Sequence, residues 1–491
     1  DHSFNYDSST SSFLGYTNNN FNFKLFEFDN KVYIAHTHLR EHINNYRGTN
    51  ITRKLLVRLN DDGSMEEFTS PSSFFKQDFN NGNLNGLGLA IFDIAKTSDN
   101  NLMIAGRFKE NVVYNPGVLY PNNKNLTKIT LDGEIVPIYE NATTNFKQNW
   151  NDTTSVRCIA IPNDTTILAV TYSDATIGKT NNHFVKFNEN LEEDQNFIRA
   201  DGFTNAVFSP TAKHINAYSN TEQIVSGKFH SNNSDRARFF AKLDDNGNVS
   251  ATLPIYSGGE INDGIIKTER IESGSHAGKI LAITNFGNIS GMPATSRWLN
   301  RYNADGTIDL SFTASTNHIV NTVNDFEILP DGKIFVVGNF VPTSFNYFAV
   351  ILNEDGTFNS SLGISKNGNG FNISKVKTDS QGRIYIAGKF KELTSAIAGT
   401  DIGNCSENFA RLNSDFTRDN TFGSGRNSGF LTLTGASMNY VNTVNDFIIM
   451  PDNSIIAIGN FDYYKGTNGK INLYNLISKQ RGQLSVPFVF I

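Results

Sequence analysis

The chain has 491 residues, of which 38% are hydrophobic and 12% aromatic, with 39 Phe against 2 Trp. Its 42 basic and 48 acidic residues leave a formal net charge of −6 without any long basic run, which excludes the electrostatic footprint of a nucleic-acid binder. No stretch approaches the ~20 apolar residues of a membrane-spanning helix, and two isolated cysteines, Cys158 and Cys405, define neither a zinc site nor a disulfide framework.

The first residues, from Asp1, show no charged-then-apolar leader, as in a processed exported protein or a trimmed chain. The low charged fraction of 18% and the abundance of Asn, Ser and Thr point to export. From there, two strand signatures alternate to the C-terminus. The first is a turn followed by an apolar run closing in Gly-x-Phe. It reads SDNNLMIAGRF at 98–108, TEQIVSGKF at 221–229, LPDGKIFVVGNF at 329–340, SQGRIYIAGKF at 380–390 and PDNSIIAIGNF at 451–461. Weaker copies are DNKVYIAHTH at 29–38, NDTTILAVTY at 163–172 and GKILAITNF at 278–286. Asp-Gly, Asp-Asn and Gln-Gly supply the positive φ of a tight hairpin. The apolar run suits a strand buried on both faces, and the closing Gly marks a bulge or a close backbone approach.

The second signature is a strand ending in another tight turn. It appears as LVRLNDDGSM at 56–65, KITLDGEIV at 128–136, FAKLDDNGNV at 240–249, LNRYNADGTI at 299–308 and VILNEDGTF at 350–358. Degenerate forms are FVKFNENLEE at 184–193, FARLNSDFTRD at 409–419 and LYNLISKQRGQL at 473–484. In LVRLN, alternation places Val57 and Leu59 on one face and Arg58 on the other. The closing aromatics at 229, 286, 340, 390 and 461 are spaced by roughly 50–70 residues, the register of a four-stranded propeller blade with variable loops. The fold expected is all-β: one β-propeller over residues 1–491 with about eight four-stranded blades, seven being the second count. Asp1-His2-Ser3-Phe4 reads as the end of a repeat, expected to complete the last blade and remove exposed sheet edges; the alternative is a preceding domain or repeat cut away.

DGKIFVVGNF, the RLNxDG-like turns and the Asp-x-Ser/Thr-Phe elements at Asp309–Phe312 and Asp419–Phe422 together resemble the delta-60 repeat β-propeller family. The resemblance is strongest over 299–461 and weaker over 50–290, and it departs from the pattern at 29–38 and 163–172. It implies a binding or scaffolding ring. Proteins similar to this family are often exported, and in Bacteroidota-type bacteria they include outer-membrane surface lipoproteins, some accompanying SusC/SusD-like nutrient importers. A protein partner of that kind is the expectation, with a glycan or peptide as a possible ligand and any lipid anchor upstream of residue 1.

Chemistry-bearing motifs are sparse. Asp61, Asp62, Asp244, Asp245, Asp305 and Asp355 recur at one repeat position without the alternating spacing of a calcium loop, so they read as turn residues. His36 and His38 sit two apart with His42 behind, but where other copies have Gly-x-Phe, and no third ligand is apparent. No nucleophile elbow or phosphate loop appears, and no pair of carboxylates can be nominated for glycoside hydrolysis. No cofactor, metal or catalytic residue is expected. The candidate ligand-binding residues are aromatics in variable connections, Trp150, Tyr463 and Tyr464, suited to stacking on a sugar or anchoring a protein. Trp298 and the two cysteines are expected in the core. A phage or adhesin receptor-binding component and a glycan-active propeller enzyme are the alternatives.

Overall fold

The computed structural model describes residues 14–16, 23–36, 43–46, 49–60, 66–68, 73–76, 90–108, 125–136, 155–163, 166–172, 184–188, 191, 194, 197, 211–219, 222–230, 237–246, 265–284, 298–314, 318–319, 322–340, 347–364, 372–390, 393–395, 407–419, 421–422, 429–431, 443–460, 463–466, 469–472, 484–486 and 488–490. Among them the only helical element is a single 3-10 turn, Phe74–Lys76, and the strands pair antiparallel, so the protein is all-β.

Eight sheets follow one another along the described chain, each with a first-signature run as its middle strand. In chain order the middle strands are Lys31–His36, Asn101–Arg107, Thr166–Tyr172, Glu222–His230, Ile280–Thr284, Ile334–Phe340, Ile384–Lys389 and Ile455–Asn460. Each is flanked by a preceding first strand: Phe23–Phe28, Ala90–Lys96, Ser155–Asn163, Thr211–Ser219, Ile265–Arg270, Val323–Ile328, Asn372–Thr378 and Thr443–Ile449. In the first seven sheets the third strand is the second signature: Leu56–Leu59, Leu126–Thr130, Phe184–Asn188, Ala237–Leu243, Leu299–Tyr302, Tyr347–Leu352 and Phe409–Leu412. In the eighth it is Phe488–Phe490, downstream of the 473–484 segment that resembles the signature.

The middle strands carry an apolar run because neither face of it is free. Leu102 and Ile104 pack toward the first sheet with Tyr33 and Leu56, while Met103 and Ala105 pack toward the third with Val156 and Phe187. The same alternation gives Ile334 and Val336 to the fifth sheet, and Phe335 and Val337 to the seventh. Tyr385 and Ala387 then face Val444 and Phe447 of the eighth. Each buried Val, Leu, Ile, Phe or Met among them stabilises by about 1.5–3 kcal/mol. First strands of sheets three to five also lie side by side, and Phe23–Phe28 of the first sheet lies beside Thr443–Ile449 of the eighth.

The closing glycine meets both expectations at once. A Cβ on Gly106, Gly338 or Gly388 would overlap the carbonyl oxygen of Ala90, Thr322 or Asn372 in the adjoining first strand. The register slips there, between Ile91 and Asp93, Val323 and Asp325, and Ile373 and Lys375. The Asp turns are also as expected: Thr307 and Thr357 donate N–H to Asp305 and Asp355, both at 2.9 Å. Asn246 donates likewise to Asp244 at 2.9 Å, whereas Asp61 and Asp62 lie outside the described residues. Two degenerate copies keep the turn without its glycine, since Leu191 (φ 57°) and Phe416 (φ 68°) take the left-handed conformation and pack against the neighbouring sheet.

Two expectations reach beyond the described residues. Only the sixth sheet carries further strands among the described residues, Phe358–Ile364 and Leu393–Ser395. Among the described residues the second, fifth and seventh sheets carry single bridges beyond the third strand, Ile129 to Ile135, Tyr302 to Ile308 and Leu412 to Arg418. At two of these bridges an acid eight residues beyond a third-strand cation turns back to pair with it, Asp309 with Arg301 and Asp419 with Arg411. Asp1–Phe4 lies outside the described residues; the pairing near the ends is Leu14–Tyr16 with Leu484–Val486.

That cation is itself a bolt between sheets. Arg58, Lys186, Arg301 and Arg411 pair with Glu66, Asp194, Asp309 and Asp419 at 2.7, 3.4, 2.6 and 2.7 Å. Beyond the acid, Phe197, Phe312 and Phe422 place their rings 6.0, 4.9 and 4.6 Å from the cation, the range of a cation–π contact. The same groups then reach the next sheet: Arg58 donates to the Leu131 carbonyl, Lys186 to that of Asp245 (3.3 Å) and Arg301 to that of Glu354 (2.5 Å). Arg58, expected merely opposite Val57 and Leu59, is thus buried.

Two outcomes follow. Gly338→Ala is expected to cost about 1–3 kcal/mol by forcing the bulge apart, read as a lower denaturant midpoint. Burial alone would raise the Asp309 carboxyl, but Lys279, Ser311 and Arg301 outweigh it and hold it far below the usual range. Its stabilisation is therefore full above the unfolded aspartate pKa of about 3.9 and is lost as pH falls toward the lower folded value. Asp309→Asn should cost about 3 kcal/mol at neutral pH, because Arg301 stays buried without its partner, with the gap to wild type closing in acid denaturation series.

Candidate functional site

The first strands hold the chemistry that sequence reasoning missed. Immediately after the register slip, or at the matching position, they carry Lys24, Asp93, Cys158, His214, Lys267, Asp325, Lys375 and Asp446, opposite Ala35, Ala105, Val170, Ser226, Ile283, Val337, Ala387 and Ile458. The slip keeps these residues in one register across sheets, so cations and acids from neighbouring sheets meet. A legible signal existed: Asn-Thr-Val-Asn-Asp-Phe occurs at both 321–326 and 442–447.

Two of the aspartates tie three sheets together. Asp93 accepts from Lys24 of the first sheet at 3.0 Å and from the Ile159 N–H of the third at 3.1 Å. Asp325 accepts from Lys267 of the fifth at 3.0 Å and from the Val376 N–H of the seventh at 3.2 Å. Lys267 also donates to the Phe326 carbonyl at 2.6 Å and lies over that ring at 4.4 Å. Burial disfavours its charge, but Asp325 and Glu269 outweigh burial and raise its pKa above that of an ordinary lysine. Two residues further along each strand stand Glu269, Glu327 and Lys377. Glu327 accepts from Thr378 through N–H (3.1 Å) and hydroxyl (2.7 Å), yet burial still holds its carboxyl above the usual glutamate range.

The residues singled out by sequence are not brought together here. Trp150 lies outside the described residues. Tyr463 and Tyr464 stand on a strand rather than in a loop: Tyr463–Gly466 is the middle strand of a small sheet between Gly429–Leu431 and Gly469–Asn472. One hairpin arm, Gly469–Asn472, and one distant strand, Gly429–Leu431, recruit them into regular pairing. His36 ends a middle strand opposite Phe23, and His38 and His42 lie outside the described residues. Among the described residues no group of three His, Cys, Asp or Glu is placed to hold a metal ion, and no helix is long and apolar enough to cross a membrane. Cys158 is buried, and Trp298 packs against the cluster around Leu281 and Phe326, both as expected; Cys405 lies outside the described residues.

No protein-family model matches the sequence, and no curated protein sequence matches it. Solved structures do. YCF48 bound to D1 peptide is similar at 11% identity and a TM-score of 0.36, over 76% of this chain and 89% of that one. Prolyl oligopeptidase B from Galerina marginata is similar at 10% identity and a TM-score of 0.38, over 91% of this chain and 54% of that one. The calcium-binding protein regucalcin from Agrobacterium tumefaciens is similar at 12% identity and a TM-score of 0.28, over 67% and 83%. Likenesses this distant say nothing about activity.

Glu327 provides a test of this site opposite in sign to Asp309. A raised folded pKa contributes stability below the unfolded value that is lost as pH rises through the folded one. Glu327→Gln keeps an acceptor for Thr378, so its unfolding midpoint should exceed wild type at neutral pH, the advantage fading below about pH 4.

Proposed function

We propose that the eight sheets close into a single eight-bladed β-propeller of the delta-60 type spanning residues 1–491, and that this ring is a rigid, non-catalytic binding scaffold, exported and held at the cell surface. The run of neighbouring sheets, with the first beside the eighth, supports closure. The observation that carries the scaffold reading is the use made of the charges: Asp93 and Asp325 each spend their carboxylate oxygens on a lysine of one neighbour and an N–H of the other. Groups engaged in this way rigidify the ring and are poorly placed to move protons. A ring of this kind presents loops to a protein partner, and an outer-membrane nutrient transporter of the SusC/SusD-like type fits the family resemblance.

A glycan-active propeller is the second reading, and the observation favouring it is Glu327, whose carboxyl is pushed above its usual range with Glu269 in its surroundings.

Affinity purification of the natively expressed protein from solubilised envelopes, followed by mass spectrometry, tests the first reading. Stoichiometric recovery of an outer-membrane transporter is the expected result, and a solitary soluble monomer would overturn it. Release of reducing sugar from a polysaccharide panel by wild type, abolished in Glu327→Gln, would replace it with the second.

A further inference from the structure

Three junctions between consecutive sheets set a lysine in register with an aspartate of the following sheet: Lys24 with Asp93, Lys267 with Asp325, and Lys375 with Asp446. The first two are closed ion pairs, each at 3.0 Å. The third is open. Among the described residues Lys375 makes no ion pair within 4.0 Å, and Asp446 accepts only from its own strand, the Phe447 N–H at 3.0 Å. Lys377, two residues on and therefore on the same face as Lys375, lies 5.6 Å from the Phe447 ring centre and also has no carboxylate within ion-pair distance.

The other acids near Lys377 are committed elsewhere: Asp325 to Lys267 and the Val376 N–H, Glu327 to Thr378. Both lysines are half-buried. Burial lowers the Lys377 pKa below that of an ordinary lysine despite the field of Asp446, the signature of a desolvated cation without its counter-ion. A partly buried ammonium of that kind is costly unless an anion joins it.

We propose that Lys375 and Lys377 form a carboxylate-binding site at the junction of the seventh and eighth sheets, where a ligand's carboxylate supplies the ion pair that Asp93 and Asp325 supply at the equivalent junctions. A singly charged carboxylate fits better than a phosphate dianion, because Asp446, Asp325 and Glu327 temper the positive field. The carboxylate can come from a small organic acid or from the C-terminus of a peptide. The site rests on the packing of these two sheets alone and is independent of ring closure and of a surface partner.

Lysine-selective isotope labelling of the full chain reads the site directly. Titration with acetate, with a short neutral peptide bearing a free C-terminus, and with the same peptide amidated should give saturable side-chain shifts at Lys375 and Lys377 for the first two probes only. Tighter binding of the peptide than of acetate identifies a peptide terminus as the source, and the reverse identifies a small acid. Asp446→Asn removes the competing acid and should tighten binding. The double variant Lys375→Met with Lys377→Met should weaken it about tenfold or more, and the corresponding double arginine variant should retain it. Should the methionine variant fail to fold, the wild-type titration and Asp446→Asn still decide. No saturable shift at either lysine, an equal response to the amidated peptide, preference for inorganic phosphate, or weaker binding in Asp446→Asn would each overturn the proposal.

Discussion

A middle strand with no free face is the constraint on which the rest of this protein depends. Runs such as IFVV at 334–337 bury every side chain, alternate residues going to opposite neighbours. A sheet of this composition cannot end in water on either side without exposing an apolar surface, so each requires a neighbour before and after it. Close packing then demands that first and middle strands approach within backbone contact. The glycine at the end of the run allows that approach, and the bulge opposite it is the geometric result.

Charge is organised around that packing. At the third strand, an arginine or lysine folds an acid back and grips a carbonyl of the next sheet. At the first strand, the bulge turns one residue per sheet into a common register, where lysine and aspartate alternate over much of the series. Both devices convert ionic groups into ties between sheets. Buried pairs of this sort add specificity of arrangement more than net stability, suited to a chain whose eight similar units must assemble in order. Where the register is kept but the tie is not made, between Lys375 and Asp446, an unneutralised cation pair is left, and a binding role enters there.

Much of the architecture was readable beforehand because period-2 burial and turn chemistry are local. Each of the eight middle strands falls on a recognised copy, and the Asp turns at 305 and 355 behave as their spacing requires. The aromatic candidates fared differently. Tyr463 and Tyr464 follow a Gly-x-Phe close and read as a loop, yet Gly469–Asn472 pairs with them on one side and the distant Gly429–Leu431 on the other, making them a strand. Such pairing is set by partners that no local window contains. The D-x-x-F element at Asp194–Phe197, just beyond a degenerate copy, was hidden for a related reason: its role is visible only once Lys186 is seen to hold it.

By itself, the amino-acid sequence determined an all-β chain of repeated hairpins with buried middle strands, since hydrophobic alternation, β-branched runs and positive-φ turn residues act over a few neighbours. It also determined that the Asp-rich turns are structural. Which charges meet was decided only by tertiary structure. Lys24 and Asp93, or Arg301 and the Glu354 carbonyl, are 69 and 53 residues apart and become partners solely through the stacking of one sheet on the next. The site on Lys375 and Lys377 belongs to the same level, because an ion pair left open is defined by its closed counterparts elsewhere in the series of sheets.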